Sequence, residues 1–442
     1  MRNFETHTPV ERMLRPVGEF AAIQASGGIL LLACTAIALA WANSPLGASY
    51  EALWQTPLGF GVAGFSLAKP LLLWINDGLM AVFFFVVGLE IKREILAGEL
   101  SRPRQAALPI AGAIGGMAVP ALLYLLLNHG GEAARGWGVP MATDIAFAIG
   151  IMALLGDRVP ATLKVFLTAL AIVDDLGAVL VIAFFYTAEL HWANLAAAAV
   201  LLALLLLANR GGVRSPVVYA VVGVVVWFLF LKSGVHATVA GVLVAMTVPA
   251  RTRIDREGFL AQAHGHVDAF AAAHPASAPG FAGPGQLDAL SALERACERA
   301  GTPLQRLEHS LHPWVSFAIM PVFALANAGV RVVGEGEPFG APPVILGIVL
   351  GLVVGKPLGI SLVSWLAVRL GLAERPPGTT WGQLLGVACL GGIGFTMALF
   401  IAALAFDGTA LLPPAKIGVL VASVLAALLG WAALTATARR HA

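Results

Sequence analysis

The chain reads as an all-α integral membrane protein of about 12 transmembrane helices. Three observations predict it. Apolar runs close to bilayer-crossing length recur along all 442 residues, only 12% of residues are charged, and glycine and proline interrupt an apolar run in each half. Soluble domains carry about 25% charged residues, so a surface with this few charges must face lipid over most of its area. The mean hydropathy of +0.85 agrees.

A crossing takes about twenty apolar residues. That length places spans at 20–43, 71–91, 106–127, 139–155, 161–187, 193–209, 215–231, 234–249, 313–331, 342–368, 382–406 and 414–438. Lys and Arg then set the orientation. With the N-terminus inside, the inner segments hold Arg2, Arg12 and Arg15, then Lys92, Arg93, Arg102 and Arg104, and further arginines at every later inner turn up to Arg439 and Arg440. The outer segments hold only Lys69, Arg135, Lys232, Arg331 and Lys416. The positive-inside rule therefore predicts both termini in the cytoplasm.

The expected organisation follows. Residues 1–19 form a cytoplasmic N-terminus, 20–249 hold spans one to eight, 250–312 form a long cytoplasmic loop, 313–438 hold spans nine to twelve, and 439–442 are a tail. The outer loop 44–70 alternates partly from Phe60 to Leu67, as a hairpin would. In the long loop, 276–285 reads as flexible linker inserted into the chain. Leu287, Leu290 and Leu293 then predict a short surface helix ending near Ala300.

Several classes are set aside on composition. Basic residues are scattered between apolar runs, which is no nucleic-acid footprint. Cys34, Cys297 and Cys389 form no CxxC pair, and His264, His266 and His274 match no ligand spacing, so neither a disulfide framework nor a zinc site is expected. No cofactor is implied. Glu5, Glu11 and Glu19 precede the first apolar run without a short h-region and cleavage site, so the first helix is expected to insert the chain itself.

The informative residues are charges at bilayer depth, which cost at least roughly 2.5–3.5 kcal/mol each and are rare for that reason. Asp174 falls at the midpoint of span 161–187, with Asp175 beside it; Lys356 falls near the midpoint of 342–368. Asp144, preceded by Thr143, sits near the centre of 139–155. Neighbours on a helix point about 100° apart, so one of Asp174 and Asp175 can pair with Lys356 while the other turns toward Asp144. Such a pair can be a latch between helices, and Asp144 can be a helix cap; neither reading covers all three acids. Three acids against one base leave negative charge in low dielectric, which favours uptake of a proton or a cation. Carboxylate and hydroxyl oxygens are hard ligands, suited to Na⁺ or Li⁺.

Backbone breaks accompany these charges. Gly391-Gly-Ile-Gly394-Phe-Thr396 interrupts span 382–406, and Gly138-Val-Pro140 opens the short span 139–155. Interrupted helices in corresponding places of two halves point to inverted repeats around a midplane ion site, although glycines also serve close helix packing. At the cytoplasmic ends lie Glu90-Ile-Lys-Arg93-Glu94 and Arg306-Leu-Glu308-His309 with His312. They can be interfacial anchors or a network that responds to pH. His236 reads as an outer-face or packing residue, and Asp77 as structural.

These motifs resemble those of the NhaA-type bacterial sodium/proton antiporters. The matching stretches are Val87–Glu94, Ala142–Ala148, Ala171–Gly177, Ser233–Thr238, Gly355–Gly359 and Gly391–Met397, in the family's order across nearly the whole chain. That family is itself a standard example of inverted-topology repeats with broken helices, and the resemblance implies two interrupted helices crossing near the midplane. It implies Asp174 and Asp175 as the Na⁺/Li⁺ and proton site, Asp144 and Thr143 at the crossing, and Lys356 balancing the site. It implies a pH-sensing region of Glu90, Arg93, Glu94, Glu308, His309 and His312. It further implies an inner-membrane homodimer joined through the outer hairpin, and electrogenic, pH-regulated exchange of sodium for protons, with no enzymatic activity. Two other uses of buried acids fit less well. An intramembrane aspartyl protease needs a Gly-Asp within a span, whereas Gly156-Asp157 falls in a turn; in a retinal protein a lysine directly before Pro357 would be out of place.

Overall fold

In hydrocarbon every backbone N–H and C=O must be satisfied within the protein, and a helix does this within one segment, so apolar runs of this length fold as helices. The computed structural model describes residues 26–62, 65–187, 190–274, 281–331 and 340–438. Among these residues the one sheet is a two-stranded antiparallel ribbon, β1 (Pro57–Val62) and β2 (Phe65–Pro70), with Phe60 opposite Leu67. Before it come α1 (Ser26–Ala42) and α2 (Gly47–Gln55), bent 112° from one another. The first half continues with α3 (Leu71–Ala97), α4 (Pro103–Leu127), α5 (Ile145–Leu154), α6 (Ala161–Phe185), α7 (Trp192–Arg210), α8 (Pro216–Leu231) and α9 (Thr238–Thr247). Then follow α10 (Arg256–Ala272), α11 (Pro284–Ala300), α12 (303–327), α13 (Pro342–Arg369), α14 (Trp381–Gly391), α15 (Phe395–Ala405) and α16 (Leu412–Ala438).

Six of the described helices are long and apolar enough to cross a membrane, or up to 9 if each bent pair is one span. The expected spans at 215–231 and 234–249 correspond to the shorter apolar helices α8 and α9. The ninth expected span is the apolar second half of α12, whose first half carries Arg306, Glu308, His309 and His312. The expected N-terminal segment 1–19 and tail 439–442 lie outside the described residues.

One segment carries the interruption expected of it, and one differs from the sequence reading. Span 139–155 is no single helix: a 3-10 stretch, Ala133–Met141, precedes α5, and the two axes are bent by 40°. Pro140 has no N–H to donate, which favours a break there, and the next helix starts afresh at an aspartate cap. The difference is the loop 250–312, which contains α10 as well as the expected α11. Gly258 and Gly265 hide α10 in the sequence, since glycine lowers helix propensity; Asp255 caps it by accepting the Gly258 N–H at 2.9 Å. The linker reading fails at Pro284 and Gly285, which open α11 with proline in the first turn; 276–280 lie outside the described residues. The base of this helical pair is held by Arg214, whose Nη2 donates to the carbonyls of Arg251 (2.5 Å) and Gly301 (3.2 Å).

Two halves share one pattern. A long helix, a broken pair and a long helix run from 103 to 185 (α4, the 133–154 pair, α6) and again from 342 to 438 (α13, the α14–α15 pair bent by 45°, α16). α4 and α13 pack so closely that a Cβ on Gly115 or Gly359 would overlap the other residue's carbonyl. Backbone cannot yield there as a flexible side chain would. Gly359→Ala is therefore expected to destabilise the fold by about 3 kcal/mol, the upper end of overpacking costs, read as a lowered thermal midpoint in detergent. Within α13 a π-turn, Gly351–Gly355, directly precedes Lys356 and Pro357. A proline ring clashes with the carbonyl four residues back, here Val353, and the widened turn relieves that clash. The same arrangement recurs in α12, where Val315–Ile319 precedes Pro321.

Candidate ion-binding site

The site grows from the two breaks. Where the 3-10 stretch ends, 142–144 is extended, and the Asp144 N–H donates to the Ile393 carbonyl at 2.7 Å. The Thr143 hydroxyl donates to the Gly391 carbonyl at 2.8 Å. One break thus satisfies the freed backbone of the other. The Asp144 carboxylate completes the join: Oδ1 accepts the Phe147 N–H at 3.0 Å, and Oδ2 accepts both the N–H (3.2 Å) and the hydroxyl of Thr396. It therefore lies against the N-termini of α5 and α15, whose dipoles present partial positive charge to an anion. Asp144 is 1% exposed and Thr143 0%.

Beside this crossing, mid-α6 supplies Asp174 and Asp175, and α13 supplies Lys356, all fully buried. Lys356 Nζ donates to Asp174 Oδ2 at 2.6 Å and to the Met141 carbonyl at the end of the 3-10 stretch. The sequence leaves open which aspartate takes the lysine; it is Asp174. Asp175 is different. Among the described residues its side chain has no hydrogen-bond or ion-pair partner, and its Oδ1 is sealed from solvent. The charges that act on it are negative at Asp174, Glu90 and Asp144, against Lys356 alone. Asp174 is paired directly with Lys356 and Asp144 with a set of hydrogen-bond donors, whereas Asp175 has neither kind of direct partner among the described residues.

All five residues singled out in the sequence thus meet at one place, and Asp144 is also the cap of α5. Sequence reasoning did not pick out Thr396 as a site residue, although a hydroxyl directly after a glycine-rich break signals a group able to cap it. The carbonyls of Met141, Gly391 and Ile393 had no sequence signal, because any residue type offers one.

At the charged C-terminal end of α3, Glu90–Glu94, a second cluster forms. Arg93 Nε contacts both carboxylate oxygens of Glu308 (3.0 and 3.1 Å), and Arg93 Nη1 contacts Glu94 at 2.6 Å. Glu94 also accepts the Glu99 N–H at 3.0 Å, and Glu90 lies within electrostatic range of Arg93, Glu94 and Glu308. Lys92 caps the end of α9 through the carbonyls of Met246 (2.6 Å) and Val248 (2.5 Å). His309 and His312 ride on the same helix as Glu308 but are exposed, and His312 bonds Ser316 at 3.1 Å rather than the acids. Asp77 is structural as expected, holding Lys69 of β2 at 2.8 Å, and His236 packs against Phe400.

Fold and site together define a class: a multi-pass membrane protein in which two broken helices cross beside a buried acid–base pair and one uncompensated carboxylate. The family model described as Na+/H+ antiporter 1 matches residues 18–434. The Na(+)/H(+) antiporter NhaA of Oleidesulfovibrio alaskensis is 56% identical over 423 residues, spanning 96% of this chain and 94% of that one. Those of Koribacter versatilis (50% identical; 96% and 91%) and Rhodospirillum rubrum (48%; 97% and 99%) are similar throughout. The chain belongs to the Na+/H+ antiporter 1 family, a family of transporters and not of enzymes.

Proposed function

We propose that this protein is a secondary active transporter exchanging cytoplasmic Na⁺ or Li⁺ for external H⁺ by alternating access at the Asp174–Asp175 site. The observation that carries the reading is Asp175, a buried carboxylate without a partner among the described residues, next to an ion-paired Asp174. Such a group must take up either a proton or a cation, and mutual exclusion of the two at one place is exchange. Carboxylate oxygens of Asp175 and Asp174 with the Thr143 hydroxyl supply hard ligands for Na⁺ or Li⁺. When Asp174 turns to the ion, Lys356 is released; when the ion leaves, Lys356 returns or protons take its place. Asp144 holds the two helix N-termini together beside the site and offsets their positive ends. Movement of more than one proton per sodium makes the exchange electrogenic and driven by the proton-motive force.

The arrangement supported by the charge asymmetry is twelve crossings, with both termini cytoplasmic and the protein in the bacterial inner membrane. Glu90, Arg93, Glu94, Glu308, His309 and His312 then face the cytoplasmic mouth and form the pH-responsive surface. The outer ribbon β1–β2, anchored by the Lys69–Asp77 pair, is the contact between two copies in a homodimer. Everted vesicles energised by respiration test the exchange. Sodium or lithium, and not potassium, should release accumulated protons, more strongly as pH rises through about 6.5 to 9. No release with either ion from vesicles containing folded protein would defeat the proposal.

A further inference from the structure

The crossing is fastened from outside itself. Phe395, first residue of α15, is the one non-glycine residue with positive φ (20°) among those described. As the first residue of a helix its N–H has no partner within that helix. Ser423, buried in α16, supplies one: its Oγ accepts the Phe395 N–H at 3.0 Å and donates its own proton to the Val419 carbonyl at 2.7 Å. The hydroxyl thereby has a fixed direction, with its proton engaged on its own helix and its lone pair aimed at the break. Phe395 in turn touches both sides of the crossing. Its ring packs against Phe147 of α5 with centroids 5.4 Å apart, and the next residue, Thr396, gives Asp144 two of its hydrogen bonds.

We infer that Ser423 is a positioning residue for the ion site, holding Phe395 in its left-handed conformation so that Thr396 stays on Asp144. The inference rests on the exchange activity proposed above. Without the hydroxyl, the Phe395 N–H is left unpaired and the left-handed backbone has no tether. The break then relaxes into alternatives in which Thr396 leaves Asp144. Only the fraction of molecules with the crossing intact binds sodium well, and apparent affinity falls by that fraction, while the maximal rate at saturating ion is nearly kept. Threonine keeps the hydroxyl and the role.

The test is sodium- and lithium-driven exchange in everted vesicles for wild type, Ser423→Ala, Ser423→Thr and Thr435→Ala, with thermal midpoints measured on the purified proteins. Thr435 makes the same kind of back-bond on α16, to Trp431 at 2.8 Å, in a half-buried position about three turns further along the helix. The expected result is a KM for both ions raised about fivefold or more in Ser423→Ala, with maximal rate within about twofold. Ser423→Thr and Thr435→Ala should match wild type. If Ser423→Ala does not fold, Ser423→Cys, a weaker acceptor, should fold and show the same KM shift. Unchanged KM in a folded Ser423→Ala or Ser423→Cys, or equal impairment of Ser423→Thr and Ser423→Ala, would overturn the inference. A wild type that fails to exchange would instead refute the function on which it rests.

Discussion

Asp175→Asn is expected to lower sodium-driven proton exchange by about a hundredfold or more, because it removes roughly 3 kcal/mol of charge-assisted ligation. The amide has nearly the same shape as the carboxyl group but carries neither the charge that binds sodium nor the proton that replaces it. The same substitution should leave the fold intact. Asp175 has no hydrogen-bond or ion-pair partner among the described residues, so no native contact is lost, and an unpaired buried charge disappears. A thermal midpoint equal to or above that of wild type, together with lost exchange, is the expected pair of results. A variant that exchanges at the wild-type rate would mean that the carboxylate is not the ion ligand.

The opposite outcome is expected at Lys356. Its ammonium is 0% exposed and holds both Asp174 and the Met141 carbonyl. Removing one partner of a buried pair leaves the other uncompensated and costs about 3–5 kcal/mol. Lys356→Ala should therefore unfold at a clearly lower temperature, unlike Asp175→Asn, although both side chains lie at the same site. Adding Asp174→Asn should return most of the stability, since the stranded charge is then gone. A double variant no more stable than Lys356→Ala would show that the loss comes from packing against α4 and not from the ion pair.

These two variants separate what the sequence makes legible from what it conceals. Long uninterrupted apolar runs such as 103–127, 161–185 and 342–369 could be read directly, because backbone in lipid has no alternative to helix there. Asp174, Asp175 and Lys356 could be read for a related reason: a charge at the middle of such a run is too costly to be incidental. Their different roles could not. The 100° step between neighbours separates Asp174 from Asp175 but carries no information on which faces α13. The Asp144–Thr396 bonds join residues 252 positions apart, and the receiving carbonyls of Met141 and Gly391 have no residue preference. The exposure of His309 and His312 was legible but unread: Leu304, Leu307 and Leu311 form an apolar stripe that turns inward and sets the phase of the polar first half of α12. α10 was hidden by its glycines and is stabilised by α11, a partner that local propensity does not see.

The most direct test of the account is proton release from purified, unbuffered protein in detergent on addition of NaCl, without any membrane or gradient. One site that holds either sodium or protons must release protons to solution as sodium binds, more than one per ion, and apparent sodium affinity must fall as pH is lowered. Asp175→Asn should release none. Sodium binding without proton release in the wild-type protein would contradict competition at a shared site and with it the mechanism proposed here.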